Sequence, residues 1–246
     1  MQGRGLFETI KVMQGRPVFF SDHAERLRRS AEALALALPS TPDVLLDRCA
    51  YVIAANELDA GVLKIVLFQD MAGTGELILT RNNPYGPEIY ARGFKLKIVQ
   101  DGRRPGLPGL KTLNYLGNGN ARRAAQAAGF DEALFVDPAG SVLEGAASNV
   151  FTVSRGKIFT PSLDCGILPG VARANILRLP ACAEARQGVL SLPLILEADE
   201  VFVTNAVLGV MPVAQIDQRA FNLAQNPVTQ AALKAYQAAE IASIAQ

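Results

Sequence analysis

The chain is poor in the residues that most enzyme classes and small secreted folds depend on. It has one histidine, His23, and three cysteines, Cys49, Cys165 and Cys182, in 246 residues. A hydrolase triad needs an imidazole base, and there is no Gly-x-Ser-x-Gly elbow to carry its nucleophile, so a serine hydrolase is disfavoured. No His/Cys group has zinc spacing. Cysteines this few, odd in number and widely spaced argue against a disulfide framework, and Cys165 reads as a small buried hydrophobe. The chain also lacks an apolar run of the roughly 20 residues a membrane helix needs. Its first residues show no basic stretch followed by an apolar one, so no signal peptide is expected and the default expectation is a cytoplasmic protein. The net charge is only +1. The Arg-Arg pairs at 28–29, 103–104 and 122–123 are scattered and read as solvated helix faces or linkers, so neither nucleic acid nor an acidic membrane is an expected partner.

What is present alternates between strand and helix patterns. Residues 5–12 read as a strand with a hairpin partner at 16–20 across Gln14-Gly15. Ser21 or Asp22 is expected to cap a helix through Glu25, Leu27, Ala31 and Leu34, and Pro42-Asp43 opens a second helix to about residue 55. Strands are expected at 62–69, 76–80 and 94–99. The Gly/Pro-rich stretch 102–109 is the best linker candidate. Beyond it, helices are expected at 118–128, 170–179 and 228–245, with strands at 132–136, 141–144, 149–153, 157–160 and 200–204. This divides the chain into a small α+β domain (1–102), a linker (103–109) and a larger domain (110–246).

Several segments can carry chemistry. Lysine is scarce, seven against seventeen arginines. Lys111 stands between Leu110 and Leu113, after the Pro/Gly-rich stretch, in Lys111-Thr112-Leu113-Asn114. A lysine that attacks an aldehyde must be neutral, and an apolar setting lowers its pKa toward working pH. Glu144 follows a strand and precedes Gly145-Ala146-Ala147-Ser148-Asn149, small residues that let a backbone approach a flat ring. Leu168-Pro169-Gly170-Val171-Ala172-Arg173 opens a helix whose first N–H groups suit a phosphate. Thr204-Asn205-Ala206 ends a buried strand with a hydroxyl and further N–H groups. Arg26 lies in His23-Ala24-Glu25-Arg26-Leu27. Each has a bland reading when taken singly: a loop charge for Lys111, a strand-end carboxylate for Glu144, a surface helix arginine for Arg26. His23 reads as a helix-start packing or hydrogen-bonding residue. Residues 106–112 lack the glycine before Lys-Thr that a P-loop needs, and Gly117-Asn118-Gly119 lacks the third glycine of a dinucleotide fingerprint.

Taken together and in this order, with Phe7-Glu8-Thr9 at the start and Asp199-Glu200-Val201-Phe202-Val203-Thr204-Asn205 near the end, the segments resemble those of the fold-type IV (class IV) enzymes. That family uses pyridoxal 5′-phosphate (PLP) and includes D-amino-acid and branched-chain aminotransferases and 4-amino-4-deoxychorismate lyases. The resemblance implies two domains, a smaller α+β N-terminal one and a larger C-terminal pseudo-barrel, and usually a homodimer. It implies that Lys111 is the catalytic lysine that carries PLP. Glu144 would face the pyridine nitrogen, and Arg26, Asn149, Val171, Ala172, Asn205 and Ala206 would complete the cofactor site. Relatives usually carry a further strand before Phe-Glu-Thr, and many carry a substrate-binding arginine near the place of Thr74. Arg81, Arg103 and Arg104 are unranked replacements. Asn205-Ala206 followed by Gly209-Val210-Met211-Pro212-Val213 is most similar to the lyases. Leu116-Gly117-Asn118 is similar to the D-amino-acid aminotransferases. A lyase releasing pyruvate and 4-aminobenzoate, a class IV aminotransferase and a binding or regulatory relative with a degraded site are the three functional expectations, in that order.

Overall fold

The computed structural model describes residues 4–71, 73–100 and 109–245. The expected linker, apart from Gly109, lies outside the described residues, as do Arg103 and Arg104. The chain forms two compact units, one of Met1–Pro84, Leu110–Asn114 and Ala238–Gln246, the other of Tyr85–Gly109 and Tyr115–Gln237.

In the first unit, β1 (Gly5–Met13) and β2 (Arg16–Pro17) make a hairpin, followed by α1 (Phe20–Ala33), α2 (Pro42–Ala55), β3 (Gly61–Asp70) and β4 (Gly73–Arg81). The sheet order is β2-β1-β3-β4, antiparallel throughout. Strand alternation puts Leu6, Ile10 and Val12 of β1 and Leu63, Ile65 and Leu67 of β3 into a core with Leu27 and Ala31 of α1 and Leu45, Cys49 and Ile53 of α2. The helix positions recur every four residues, so each helix turns one apolar stripe to the sheet. Thr41 caps α2 by accepting from the Val44 N–H, with Pro42 at the first helical position. The start of α1 departs from expectation. Neither Ser21 nor Asp22 caps it: the helix begins at Phe20, after Phe19 in the left-handed conformation at φ 51°. The Phe19 N–H is satisfied by Ser243 Oγ at 3.2 Å, a partner 224 residues away that no local rule could supply.

The second unit contains α3 (Pro87–Arg92), β5 (Phe94–Gln100), α4 (Leu116–Ala127), β6 (Glu132–Val136), β7 (Ser141–Gly145), β8 (Asn149–Ser154), β9 (Lys157–Pro161), α5 (Val171–Arg178), β10 (Arg186–Gly188), β11 (Leu190–Ser191), α6 (Leu192–Leu196), β12 (Glu200–Asn205), β13 (Gly209–Ile216) and β14 (Arg219–Ala220). The last helix of the chain is α7 (Pro227–Ile244). The ten strands form one mixed sheet, β10-β9-β8-β12-β13-β5-β6-β7-β11, with β14 paired to β13. Its core includes Phe94, Leu134, Val150, Val203, Leu208, Met211 and Val213.

Two features correct the expected division. β5 belongs with the second unit because it runs parallel between β13 and β6. Residues 110–114 belong with the first because they hydrogen-bond to β1. Both are long-range pairings, which composition does not signal. Residues 209–216, for which no strand was expected, form β13 in the sheet interior despite Gly209 and Pro212, with a register shift between Val213 and Gln215 that absorbs the irregularity. Cys49 and Cys182 are buried, whereas Cys165 is only half-buried. No described helix is long and apolar enough to cross a membrane, and no group of His, Cys, Asp or Glu among the described residues could hold a metal ion.

Candidate active site

In the first unit the site is organised by β1. The segment carrying Lys111 runs antiparallel beside it: the Phe7 N–H donates to the Lys111 carbonyl at 2.9 Å and the Leu113 N–H to the Gly5 carbonyl at 3.0 Å. Lys111 is thus the cross-strand neighbour of Phe7, and its Nζ lies 4.3 Å from the Phe7 ring centroid. Gly5 permits this approach, because a Cβ there would overlap the Leu67 carbonyl oxygen and the Leu113 side chain.

The next residue of β1, Glu8, points to the other face and is 1% exposed. Arg26 grips it with two bonds, Nε to Oε1 at 2.8 Å and Nη2 to Oε2 at 2.6 Å, and His23 Nδ1 lies 2.7 Å from Oε2. Burial pushes the Glu8 carboxyl up, but the Arg26 charge and the His23 bond outweigh it and hold it at about 2. Burial holds His23 below its usual value against the pull of Glu8. Because an ionised carboxylate only accepts, the His23 nitrogen facing Glu8 must be the donor. Arg26, expected as a phosphate ligand, is therefore oriented by a buried carboxylate. Glu8 was not among the expected site residues. The available signal was a glutamate at the core-facing phase of a strand between Leu6 and Ile10, with His23 and Arg26 three apart on one helix face.

In the second unit the site gathers around two turns. Glu144 stands near the end of β7, and the Gly145 N–H closes the following turn by donating to the Ser148 carbonyl at 2.7 Å. Glu144 Oε2 accepts from the Leu168 N–H at 3.0 Å and from Asn149 Nδ2 at 3.2 Å. The same Asn149 nitrogen donates to the Leu168 carbonyl at 3.0 Å. Three residues on, α5 begins at Val171 after Gly170, with no side-chain cap. A Cβ on Gly170 would overlap Asn149 Oδ1, so only glycine fits this approach. The first N–H groups of α5, those of Val171 and Ala172 among them, have no carbonyl a turn earlier in the helix to bond to.

Arg173, in the first turn of α5, has part of its guanidinium committed elsewhere. It is buried, and its Nη2 donates to the Pro161 carbonyl at 2.7 Å and to Gln187 Oε1 at 2.8 Å. Asn205 is also committed. Its Nδ2 donates to the Ala147 carbonyl at 3.0 Å, and its Oδ1 accepts from the Val207 and Leu208 N–H groups at 2.9 Å each. It braces the turn containing Ala206 against the turn behind Glu144. Beside it, Thr204 is 1% exposed and its Oγ1 has no partner among the described residues. Leu208 and Met211 belong to the main core, and Val207 is buried outside that cluster.

The expected residues therefore fall into two groups. Lys111 and Arg26 are organised by the first unit, and Glu144, Asn149, Val171, Ala172, Asn205 and Ala206 by the second.

Known proteins share this arrangement of segments. Residues 5–216 match the model of the amino-transferase class IV family. A Methanocaldococcus jannaschii protein, named as a candidate branched-chain-amino-acid aminotransferase, is 30% identical over 90% of this chain and 82% of its own. The aminodeoxychorismate lyase of Bacillus subtilis is 29% identical over 89% of this chain and 79% of its own. Among solved structures, a candidate 4-amino-4-deoxychorismate lyase from Legionella pneumophila superposes with a TM-score of 0.86 at 28% identity, covering 97% of this chain and 92% of that one. The match to the family model over most of the chain, with the two-domain α+β fold, makes this protein a member of the class IV aminotransferase family, whose cofactor is pyridoxal 5′-phosphate.

Proposed function

We propose that the protein is a 4-amino-4-deoxychorismate lyase that releases pyruvate and 4-aminobenzoate. The residues fit PLP on three counts: a carboxylate held by two donors (Glu144), an uncapped helix start that a Cβ at Gly170 would disturb, and the orphaned buried hydroxyl of Thr204. The Val171 and Ala172 N–H groups, the Ala206 turn and Arg26 would hold the phosphate, Glu144 would face the ring nitrogen, Asn149 would fix Glu144, and Lys111 would be the attachment point. When bound, PLP supplies an electron sink for the pair left behind by a departing proton.

The chain's own residues then have separate tasks. Lys111 Nζ removes the proton from the ring carbon that bears the amine. The bond from the ring to the enolpyruvyl oxygen breaks, a proton returned to the enol gives pyruvate, and the ring becomes aromatic. Aromatisation drives the elimination, so the protein need only position the leaving group and move protons. Glu144, held by the Leu168 N–H and Asn149, would present its carboxylate to a positive ring nitrogen.

The observation that carries the lyase reading is the turn after β12. Both ends of the Asn205 side chain are bonded within the protein, and the next two residues are Ala206 and Val207. The turn thus lacks the side-chain hydroxyls characteristic of the D-amino-acid aminotransferases. The second reading, a class IV aminotransferase, is favoured by the 30% identity to the Methanocaldococcus jannaschii protein. Product analysis separates them. Aminodeoxychorismate alone should give 4-aminobenzoate at a rate independent of added keto acid. No 4-aminobenzoate, with an amino acid converting the cofactor stoichiometrically to its amine form, would decide for the aminotransferase. We also propose that the protein is a homodimer; light scattering at the mass of one chain would overturn this.

A further inference from the structure

Ala146 and Ala147 lie in the turn between Glu144 and Asn149, and the rest of the second unit holds their peptide groups from several sides. The Ala146 carbonyl accepts from Asn118 Nδ2 at 3.1 Å, and the Ala147 carbonyl accepts from Asn205 Nδ2 at 3.0 Å. The Ala146 N–H donates to the Ala133 carbonyl at 2.9 Å. The Ala147 and Ala146 N–H groups also bond to the Glu132 carboxyl, whose Oε1 accepts from the Ala133 N–H at 3.2 Å. Both N–H groups and both carbonyls of this pair therefore have fixed partners. Alanines have no polar side chains with which to hold a turn, so these partners set its geometry.

Neither Asn118 nor Glu132 serves its own element. Asn118 is half-buried in the first turn of α4, where asparagine is a poor helix former, and no side chain caps that helix. It shares a helix face with Ala121 and Ala125, three and seven residues on, and those two belong to the same core cluster as Ala146. Glu132, the first residue of β6, is almost fully buried, which is costly for a carboxyl and pushes it up to about 7. Arg122 acts on it only through its charge, with Nη2 donating to Tyr85 Oη at 3.3 Å. Gly145 lets the turn settle onto Glu132: a Cβ there would come within 3.2 Å of Glu132 Cγ and would overlap Ser148 Oγ.

We propose that Asn118 and Glu132 are positioning residues for Glu144. Acting through the Ala146 and Ala147 peptide groups, they fix both ends of the turn. Glu144 Oε2 then keeps its bonds to the Leu168 N–H and Asn149 Nδ2, and its carboxylate is aimed at a positive ring nitrogen. This role rests on the reading of Glu144 as the partner of that nitrogen. A hydrogen bond weakens steeply as its angle and length depart from the optimum, so a small shift of the turn is enough to loosen the contact.

The test uses the PLP-loaded protein with an isotope-labelled ring nitrogen, whose NMR shift reports whether that nitrogen carries a proton. Glu144→Gln is the control and should move the signal toward the unprotonated position. Asn118→Ala should move it part of the way and lower kcat by about 10-fold, with KM within about threefold of wild type. Glu132→Leu removes the acceptor of the Ala147 N–H and should do the same. Glu132→Gln keeps an acceptor there and should restore most of what Glu132→Leu loses. Thermal melting checks that each variant is folded, and Asn118→Ala decides the matter if Glu132→Leu does not fold. A wild-type signal and kcat in Asn118→Ala, with the Glu144→Gln signal displaced, overturns the positioning role alone. An undisplaced signal in Glu144→Gln overturns the reading of Glu144, and the positioning role with it.

Discussion

Glu8 and Glu132 are two carboxylates at the same depth, each 1% exposed, and the protein treats them in opposite ways. Glu8, in the first unit, has a two-bond grip from Arg26 and a third bond from His23, and is held down at about 2. Glu132, at the start of β6 in the second unit, is pushed up by burial to about 7, against the charge of Arg122 and the N–H groups of Ala133, Ala147 and Ala146. Burial is the largest influence on both. What decides the sign is whether a cation is in contact or only nearby. The first unit orients its candidate ligands with paired charges. The second does so with backbone groups, close glycine contacts and a carboxylate near neutrality. Glu132 lies directly behind the turn that carries Glu144 toward Asn149, since the Ala146 and Ala147 N–H groups face it.

The comparison can be broken or sharpened by substitution. The largest effect is expected at Lys111, which sits on the charge-paired unit beside Phe7. Lys111→Ala should lower turnover by a factor on the order of 10⁴ while the Glu8 cluster persists. It should also remove the covalent attachment of the cofactor. Mass spectrometry of borohydride-treated protein checks this, and a cofactor-sized adduct in the variant would refute the assignment.

Glu8→Ala should be next. It leaves Arg26 partly buried without its carboxylate, which typically costs about 3–5 kcal/mol. Denaturant unfolding measures it, and a loss below about 1 kcal/mol would mean that water replaces the carboxylate. The pH dependence follows from the depressed pKa. The stability Glu8 contributes is fully present above its ordinary 4.5 and is lost as pH falls toward 2.

Glu144→Ala should lower kcat by about 10²–10³-fold with little loss of fold stability, because Asn149 Nδ2 keeps its bond to the Leu168 carbonyl. Near-wild-type rates would mean that Glu144 faces elsewhere.

The smallest effect is the pH response of Glu132. Its folded pKa is raised, so the folded state binds more protons than the unfolded one between 4.5 and about 7. Stability from this group is greatest below 4.5 and falls as pH rises through 7, by up to about 3 kcal/mol. Glu132→Gln should flatten the melting temperature across that window and leave the Glu8-dependent acid limb unchanged. A variant whose profile matches wild type would place the titration on another group.

Much of the site was legible because its residues come in short segments with local meaning. Gly170 ahead of a helix announces an uncapped start whatever surrounds it. Glu144 followed by Gly145 through Asn149 describes a tight turn behind a carboxylate. Other assignments were out of reach. Arg26 in a His-x-x-Arg-Leu segment reads as a free ligand until Glu8 is seen in its grip. Arg173 follows Gly170 in the right place for an anion and is turned instead to Pro161 and Gln187.

The sequence by itself determined the order of the segments, the two-domain α+β fold and the family, because these depend on local periodicity, turn chemistry and the spacing of reactive residues along one chain. Tertiary structure alone decided which neighbour each polar group acquired. The Lys111 segment lies beside β1, β5 lies between β13 and β6, and Phe19 bonds Ser243 across 224 residues. Partners like these are fixed by sheet register and packing rather than by nearby residues, and they determine whether a buried carboxylate stays charged.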